Sequence, residues 1–89
     1  MSNSRHVRVY ITPKKGILDP QGVAIERSLP ALGFEGVSEV RVGKFIELEL
    51  DLPAGTPAEK AREEVDEMCR KLLANPIIED FTFAIDDEQ

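Results

Sequence analysis

The sequence predicts a single α+β domain in which two helices lie on one face of an antiparallel sheet. Apolar and polar residues alternate at Val7–Thr12, and helix start signals stand at Asp19-Pro20 and Thr56-Pro57. The 89 residues are enough for one domain. We expect it to span residues 1–89, with about 1–5 and 86–89 loose.

The first helix is expected to begin at Asp19, because a capping carboxylate accepts hydrogen bonds from free amides, with Pro20 at the first helical position. Proline cannot donate to the Glu26 carbonyl, so Pro30 should loosen the last turn before Gly33 ends the helix. The apolar spacing predicts one buried stripe, formed by Gly22, Ile25, Leu29 and Leu32.

Two strands are predicted next, near residues 37–42 and 46–51, and the turn between them fixes their register. A two-residue turn would pair Val42 with Phe45 and place apolar side chains against charged ones. A three-residue hairpin loop at 43–45 pairs Val42 with Ile46, so we prefer it. A single long bent strand is the alternative.

A second helix and a last strand complete the predicted order of secondary-structure elements. Thr56 and Glu59 match a capping box with proline between them. The helix face is predicted to consist of Ala58, Ala61, Val65, Met68 and Leu72, with Cys69 and Leu73 beside it. Phe81, Phe83 and Ile85 then share one strand face.

The resulting order, β-α-β-β-α-β, is the ferredoxin-like arrangement. Its open sheet face would carry polar and aromatic side chains from several strands: Arg8, Tyr10, Arg41, Glu47, Glu49 and Thr82. An edge strand would be available for pairing between chains, so we expect a sheet-mediated oligomer. A chain this short also has little core of its own, which favours self-association as a homodimer or homotetramer.

Composition excludes several classes of function. A net charge of −6 disfavours nucleic acid as a partner, since phosphates need a basic surface. The sequence has neither an apolar signal core nor a membrane-length apolar run. A lone cysteine cannot form an internal disulfide, and we expect a cytoplasmic protein.

The sequence offers few groups for catalysis. Cys69 lies beside the apolar face of the second helix and is expected to be a core residue, and His6 stands alone as a surface histidine. No catalytic, cofactor or metal site is predicted on this chain. Lys44 and Phe45 would project from the hairpin tip near Arg41, a mixture that is typical of interfaces.

Several segments together resemble the PurS family, the small subunit of phosphoribosylformylglycinamidine synthase. Val7–Gly22 is similar to its opening strand and its lysine, glycine and Asp-Pro-Gln-Gly pattern. Leu32–Phe34 resembles its helix exit, and Val40–Leu48 resembles its arginine-glycine-lysine-aromatic hairpin. Met68–Pro76 and Ile78–Phe81 resemble its second helix and final strand. The resemblance extends over about residues 7 to 83.

The resemblance implies an assembly role in purine biosynthesis. PurS-type subunits assemble with a large synthetase subunit and a glutaminase subunit. ATP and Mg²⁺ sit on the large subunit, and the small subunit helps ammonia reach it from the glutaminase. The positions that match the family motifs are the expected partner contacts: Lys14, Asp19, Arg41, Lys44 and Phe45.

Two alternatives belong to other classes of protein. An acylphosphatase-like hydrolase would use Gln21-Gly22-Val23 as a phosphate loop, but Glu26 stands where that family needs arginine. A small ligand-sensing regulatory module would use a glycine-rich loop after the first strand, for which Lys14-Lys15-Gly16 is a candidate.

Overall fold

The computed structural model describes residues 2–87, and the side chains of residues 4–86. Three strands, β1 (Ser2–Pro13), β2 (Lys44–Pro53) and β3 (Glu79–Asp87), alternate with two helices. The first helix, α1 (Pro20–Ser28), is followed by a 3-10 turn at Pro30–Leu32. The second, α2 (Ala58–Met68), continues into a π turn at Cys69–Leu73.

The described part of the sheet has three strands in the order β2-β1-β3, and both pairings are antiparallel. Val9 lies opposite Ile46 on one side and Phe83 on the other, so these side chains share a face. The predicted alternation in β1 is confirmed: Val7, Val9 and Ile11 are fully buried.

Helix α2 covers the buried face of the sheet. Ala61, Val65 and Cys69 are fully buried and belong to the same core as the β1 row. The aromatic side chains of β3 pack against this core, as predicted. Ala61 and Cys69 are small, so the helix can approach the strands closely.

The predicted hairpin loop at 43–45 is wrong, and the ferredoxin-like sheet lacks its second strand. Residues 37–43 form no strand, and Lys44 and Phe45 open β2 instead. The backbone N–H of Val42 donates to a carboxylate oxygen of Asp19 at 2.9 Å, not to a neighbouring strand. Arg41 consequently lies off the open sheet face, and its Nη1 donates to the Pro13 carbonyl at 3.0 Å.

The predicted burial of α1 is also wrong, so only α2 covers the sheet. Gly22 is the single buried residue of α1, while Ile25 and Leu32 of the expected stripe are exposed. No hydrophobic side chain of α1 belongs to the core cluster or packs against it. The loosening at Pro30 is confirmed, because α1 ends at Ser28 and Gly33 closes the 3-10 turn with a φ of 96°.

Two details of α2 differ from the prediction. Leu72 is 82% exposed, whereas Leu73 packs partly against the core. The N–H of Ala74 donates to the Cys69 carbonyl, which is five residues earlier, and this wider turn moves the inward position by one residue. The capping box does not form, because the Thr56 hydroxyl donates to the Pro53 carbonyl at 2.6 Å.

The molecule is elongated, with extents of 55 × 28 × 15 Å. Its radius of gyration is 17.2 Å, whereas a compact chain of this length would have about 12 Å. The accessible surface is 6458 Å², compared with about 5,200 Å² for a compact protein of this mass. The segment between Pro13 and Lys44 adds no side chain to the core cluster, so its surface contributes to this excess.

Both described ends of the chain lie in strands. Residues 2–5 lie in β1, and residues 86–87 lie in β3. Residues 1, 88 and 89, also expected to be loose, lie outside the described residues. Within residues 2–87, no helix has both the length and the apolar character needed to cross a membrane.

The reactivity of the Cys69 thiol tests whether the core is packed as described, because this side chain is buried. The side chain is fully buried, and burial raises the pKa of its thiol, with the Asp66 carboxylate adding to the effect. We expect a thiol reagent to react roughly 100-fold more slowly with the folded chain than with free cysteine. Absorbance assays of labelling with and without urea measure this. Equal rates in both conditions would contradict the fold.

Candidate partner-binding surface

The five predicted contact residues gather at one end of the sheet, where β1 ends and β2 and β3 begin. Lys14 follows β1, and its N–H donates to the Ile78 carbonyl just before β3. Lys44 and Phe45 open β2 opposite Ile11 and Tyr10. Asp19 and Arg41 lie in the connection between β1 and β2, and both are tied to the same end.

Both carboxylate oxygens of Asp19 already accept hydrogen bonds from backbone amides of this chain. Its Oδ1 accepts from the Gly22 N–H at 3.1 Å, and its Oδ2 accepts from the Val42 N–H at 2.9 Å. The N-cap prediction is therefore confirmed. The second bond adds a link from the start of α1 to the start of β2.

The lysines of this end are paired with acids from β3. Lys14 Nζ contacts Asp80 Oδ1 at 2.5 Å, and Lys44 Nζ lies 3.7 Å from Glu79 Oε2. Both lysine side chains remain substantially exposed. Exposed pairs of this kind contribute little to stability and can be exchanged for other partners.

Phe45 forms an aromatic pair on the open sheet face. Its ring centroid is 5.2 Å from that of Tyr10, the residue directly opposite in β1, and the planes are tilted by 31°. Both rings are exposed. Aromatic side chains are enriched in protein interfaces.

We call residues 14–43 the arm; it carries most of the exposed apolar surface. Leu18 is 85% exposed, Leu32 is 70% exposed and Phe34 is 58% exposed. Further exposed apolar side chains of the arm are Ile17, Val23, Ile25 and Val37. A chain of this size does not normally leave such a set uncovered unless another molecule covers it.

A groove of about 440 Å³ runs along the base of the arm. Its floor is mainly apolar, and Ile17, Leu18, Val23 and Val40 line it. Lys14 and Arg41 stand at its rim, so two of the predicted contacts border an apolar depression. This combination suits an apolar anchor of a partner protein flanked by polar groups.

A second groove, of about 470 Å³, lies between α2 and β3. Arg62 stacks on Phe83 at 5.0 Å, and Arg70 stacks on Phe81 at 5.5 Å. Asp66 pairs with Arg70 at 2.7 Å. The opposite charges offset one another, so this groove has no clear preference for an anion or a cation.

The geometry provides no site for the hydrolase alternative. Gln21-Gly22-Val23 lies inside α1 and does not form a loop. The amides of Gly22 and Val23 already donate to the side chain and the backbone of Asp19, so they cannot cradle a phosphate. Within residues 2–87, no three His, Cys, Asp or Glu side chains are grouped to hold a metal ion.

His6 is bracketed by two glutamates of β2 on the open sheet face. Its Nε2 lies 3.1 Å from Glu47 Oε2, and its Nδ1 lies 3.2 Å from Glu49 Oε2. A neutral imidazole can donate from only one nitrogen, so this geometry fits the charged ring. Hydrogen bonds to Glu49 and Glu47 raise the pKa of His6, and those from Ser4 and His6 lower the pKa of Glu49.

Neighbouring charges on the open face complete this cluster. Arg8 Nη2 donates to Asp86 Oδ1 at 3.0 Å, and Asp86 lies opposite His6 in β3. His6 thus belongs to an ordered row of side chains across three strands. The sequence analysis missed this cluster, because only strand register brings His6 beside Glu47 and Glu49.

Residues 6–87 match the model of the family described as PurS, phosphoribosylformylglycinamidine (FGAM) synthase. The chain belongs to the PurS family. The PurS subunit of Synechocystis sp. is 46% identical over 85 residues, which cover 96% of this chain and 82% of the relative. That of Methanocaldococcus jannaschii is 46% identical over 78 residues, covering 88% and 90% of the two chains.

Solved PurS structures share the fold. The PurS subunit of Thermotoga maritima superposes with a TM-score of 0.81 at 30% identity, covering 96% of this chain and 94% of the other. A chain of PurLQS from the same organism gives a TM-score of 0.76 at 30% identity, covering 92% and 96%. This chain is accordingly a PurS subunit of phosphoribosylformylglycinamidine synthase, a ligase complex of purine biosynthesis.

The His6 cluster predicts a pH dependence of stability. Because the pKa of His6 is raised above 6.5, its contribution is complete below that pH and is lost as the pH rises through the raised value. Because the pKa of Glu49 is lowered, its contribution is lost only as the pH falls well below 4.5. Thermal unfolding between about pH 5.5 and about pH 9 should show a decline in the melting temperature of the wild type.

The control for this prediction is His6→Gln, which keeps a polar side chain but cannot become charged. Its melting temperature should change less over the same pH range. Identical pH profiles for the two proteins would contradict the proposed charge state of His6.

Proposed function

We propose that this PurS chain has a structural role in its complex and acts by positioning other subunits. In this proposal it assembles with a large synthetase subunit and a glutaminase subunit, and it helps ammonia pass between them while carrying no catalytic site itself. The observation that supports this most strongly is the arm, whose apolar side chains the chain leaves uncovered. Exposed apolar surface of this kind favours association.

The amount of surface fits an assembled protein. The accessible area exceeds that of a compact protein of the same mass by about 1,250 Å². A standard stable interface removes about 800 Å² from each partner. The excess is therefore enough for one such interface, with some area left for a second contact.

The exposed apolar side chains of the arm do not pack on this chain's own core, so they are available to contact another protein. Leu18, Leu32 and Phe34 are exposed, and none of them belongs to the core cluster or packs against it. Covering apolar area stabilises a complex by roughly 25 cal/mol per Å² before the costs of association. Nearby charged pairs, such as Lys15 with Glu39 at 3.4 Å, provide a polar rim.

The comparisons support the identity of the partners. The solved Thermotoga structure is named PurLQS, and one of its chains has the fold of this chain over 92% of its length. We infer that the arm and the adjacent sheet end contact the corresponding L-type synthetase and Q-type glutaminase subunits here. Lys14, Arg41, Lys44 and Phe45 remain the contact candidates, whereas the carboxylate of Asp19 points inward.

The mechanism in this proposal is an increase in effective concentration. Holding two active sites in register lets ammonia released at one reach the other before it escapes. ATP and Mg²⁺ are assigned to the large subunit, as the family resemblance implies. In this proposal the chain contributes contact surfaces, on the sheet end and the arm, that set the spacing of the two active sites.

We also propose that copies of the chain associate through their sheets, as a homodimer or homotetramer in the cytoplasm. Two observations support this. The outer edges of β2 and β3 are unpaired in the described chain. The open face also presents the Tyr10–Phe45 pair. The sensor alternative gains no support, since Lys14 and Lys15 each pair with a carboxylate.

Replacing apolar residues of the arm should weaken assembly without unfolding the chain. We expect Leu32→Ser with Phe34→Ser to raise the chain concentration needed for half-maximal glutamine-dependent activity by about tenfold or more. The melting temperature of the isolated chain should hardly change, because both side chains are exposed. Titration into the synthetase and glutaminase subunits measures the first quantity.

The matched control is Leu72→Ser with Ile77→Ser. These side chains are 82% and 83% exposed but lie outside the arm. If both pairs of substitutions weaken assembly equally, or neither does, the arm is not the contact surface.

The sheet end should contribute to the same complex. We expect Lys44→Ala with Phe45→Ala to weaken complex formation by about tenfold, because a cation and an aromatic anchor are removed together. Alanine is preferred to glutamate at position 44, since glutamate would repel Glu79. Lys60→Ala removes an exposed lysine of α2 and should leave binding unchanged; full binding by the double variant would contradict the assignment.

A further inference from the structure

The arm is attached to the body through a narrow set of polar contacts, which we call the neck. The neck consists of residues 13–19 and 39–43, together with the first turns of α1. Four polar links join the two chain segments of the neck: Asp19 to Val42, Glu26 to Val40 at 3.4 Å, Arg41 to Pro13, and Lys15 to Glu39. Lys14 ties the neck to the start of β3 through the Ile78 carbonyl and Asp80. Beyond the neck, α1 contributes no hydrophobic side chain to the core cluster.

Asp19 lies at the centre of the neck. One carboxylate oxygen accepts from Gly22 at 3.1 Å and so fixes the start of α1. The other accepts from Val42 at 2.9 Å and so fixes the segment that enters β2. Both contacts are partly buried, and hydrogen bonds to a charged acceptor are stronger than neutral ones.

Gly22 is the residue that allows this close approach. A Cβ atom at position 22 would overlap both Asp19 Oδ2 and the Val40 carbonyl. Gly43 is similar on the other side of the neck, where a Cβ would overlap the Ile11 carbonyl. The two glycines let the chain segments touch, and Asp19 joins them.

We propose that Asp19 is a positioning residue that holds the arm in the direction needed for docking. This inference rests on the proposed function, because it assigns the arm to a partner interface. Asp19 does not contact the partner in this account; it orders the arm before the partner arrives. A pre-ordered arm binds more tightly, because less conformational freedom is lost on docking.

Asp19→Asn distinguishes the two hydrogen bonds that the carboxylate accepts, because it keeps one and removes the other. Asparagine is as good an N-cap as aspartate, so its single carbonyl oxygen can still cap α1. Its NH₂ group cannot accept a hydrogen bond, so the link to Val42 is lost. The matched control is Asp51→Asn, which makes the same chemical change on an exposed position of β2.

The test is a titration of each chain into the synthetase and glutaminase subunits, with glutamine-dependent activity as the readout. For Asp19→Asn we expect the half-saturating concentration to rise about tenfold, with the activity at saturation unchanged. Asp51→Asn should match the wild type. An unchanged half-saturating concentration for Asp19→Asn overturns the proposal, and so does a lower activity at saturation with unchanged affinity.

Gly22→Ala tests the neck by a second route. A Cβ at position 22 would overlap the Asp19 carboxylate and the Val40 carbonyl, so the two segments of the neck would have to move apart. If the neck geometry matters, Gly22→Ala should raise the half-saturating concentration as Asp19→Asn does. Normal assembly by Gly22→Ala overturns the proposal.

Hydrogen exchange of backbone amides, measured on the isolated chain, tests the role of Asp19 without the partner subunits. The Val42 amide should exchange faster in Asp19→Asn than in the wild type or in Asp51→Asn. Unchanged exchange overturns the positioning role, whatever the titration shows. If the wild-type chain fails to support activity at all, the proposed function fails, and exchange at Val42 still decides whether Asp19 orders the neck.

Discussion

Burial of the β1 apolar row under α2 is the interaction on which the rest of the structure depends. Val7, Val9 and Ile11 are covered by one helix, and the two outer strands complete the core on either side. The core is then complete without α1. The first helix is instead held by polar contacts at the neck, and its apolar side chains remain available to another molecule.

The sequence predicts an element well where its own periodicity decides the structure. Alternation in β1 and β3 identifies the buried strand faces, because a strand has a strict period of two. Residues 37–42 also alternate, yet they form no strand, since the partners of Val40 and Val42 are carboxylates of Glu26 and Asp19. Nothing in a local pattern shows whether a backbone amide will meet another strand or a side chain.

An apolar stripe likewise shows that a face will be covered, but not by which chain. The sequence predicts that the α1 stripe packs on this chain's own core, whereas Ile25 and Leu32 are exposed in the structure. The five predicted contact residues do meet at one end of the sheet, and their role as partner contacts stays a prediction. The sequence pattern did not show that both carboxylate oxygens of Asp19 accept hydrogen bonds from this chain's own backbone.

The central claim is that other subunits of the enzyme cover the arm. A photo-crosslinking amino acid at position 34, compared with one at position 72, tests it in the complex with the synthetase and glutaminase subunits. The account predicts crosslinks from position 34 to one of these subunits and few from position 72. Crosslinks from position 34 only to a second copy of this chain, or to nothing, would contradict it.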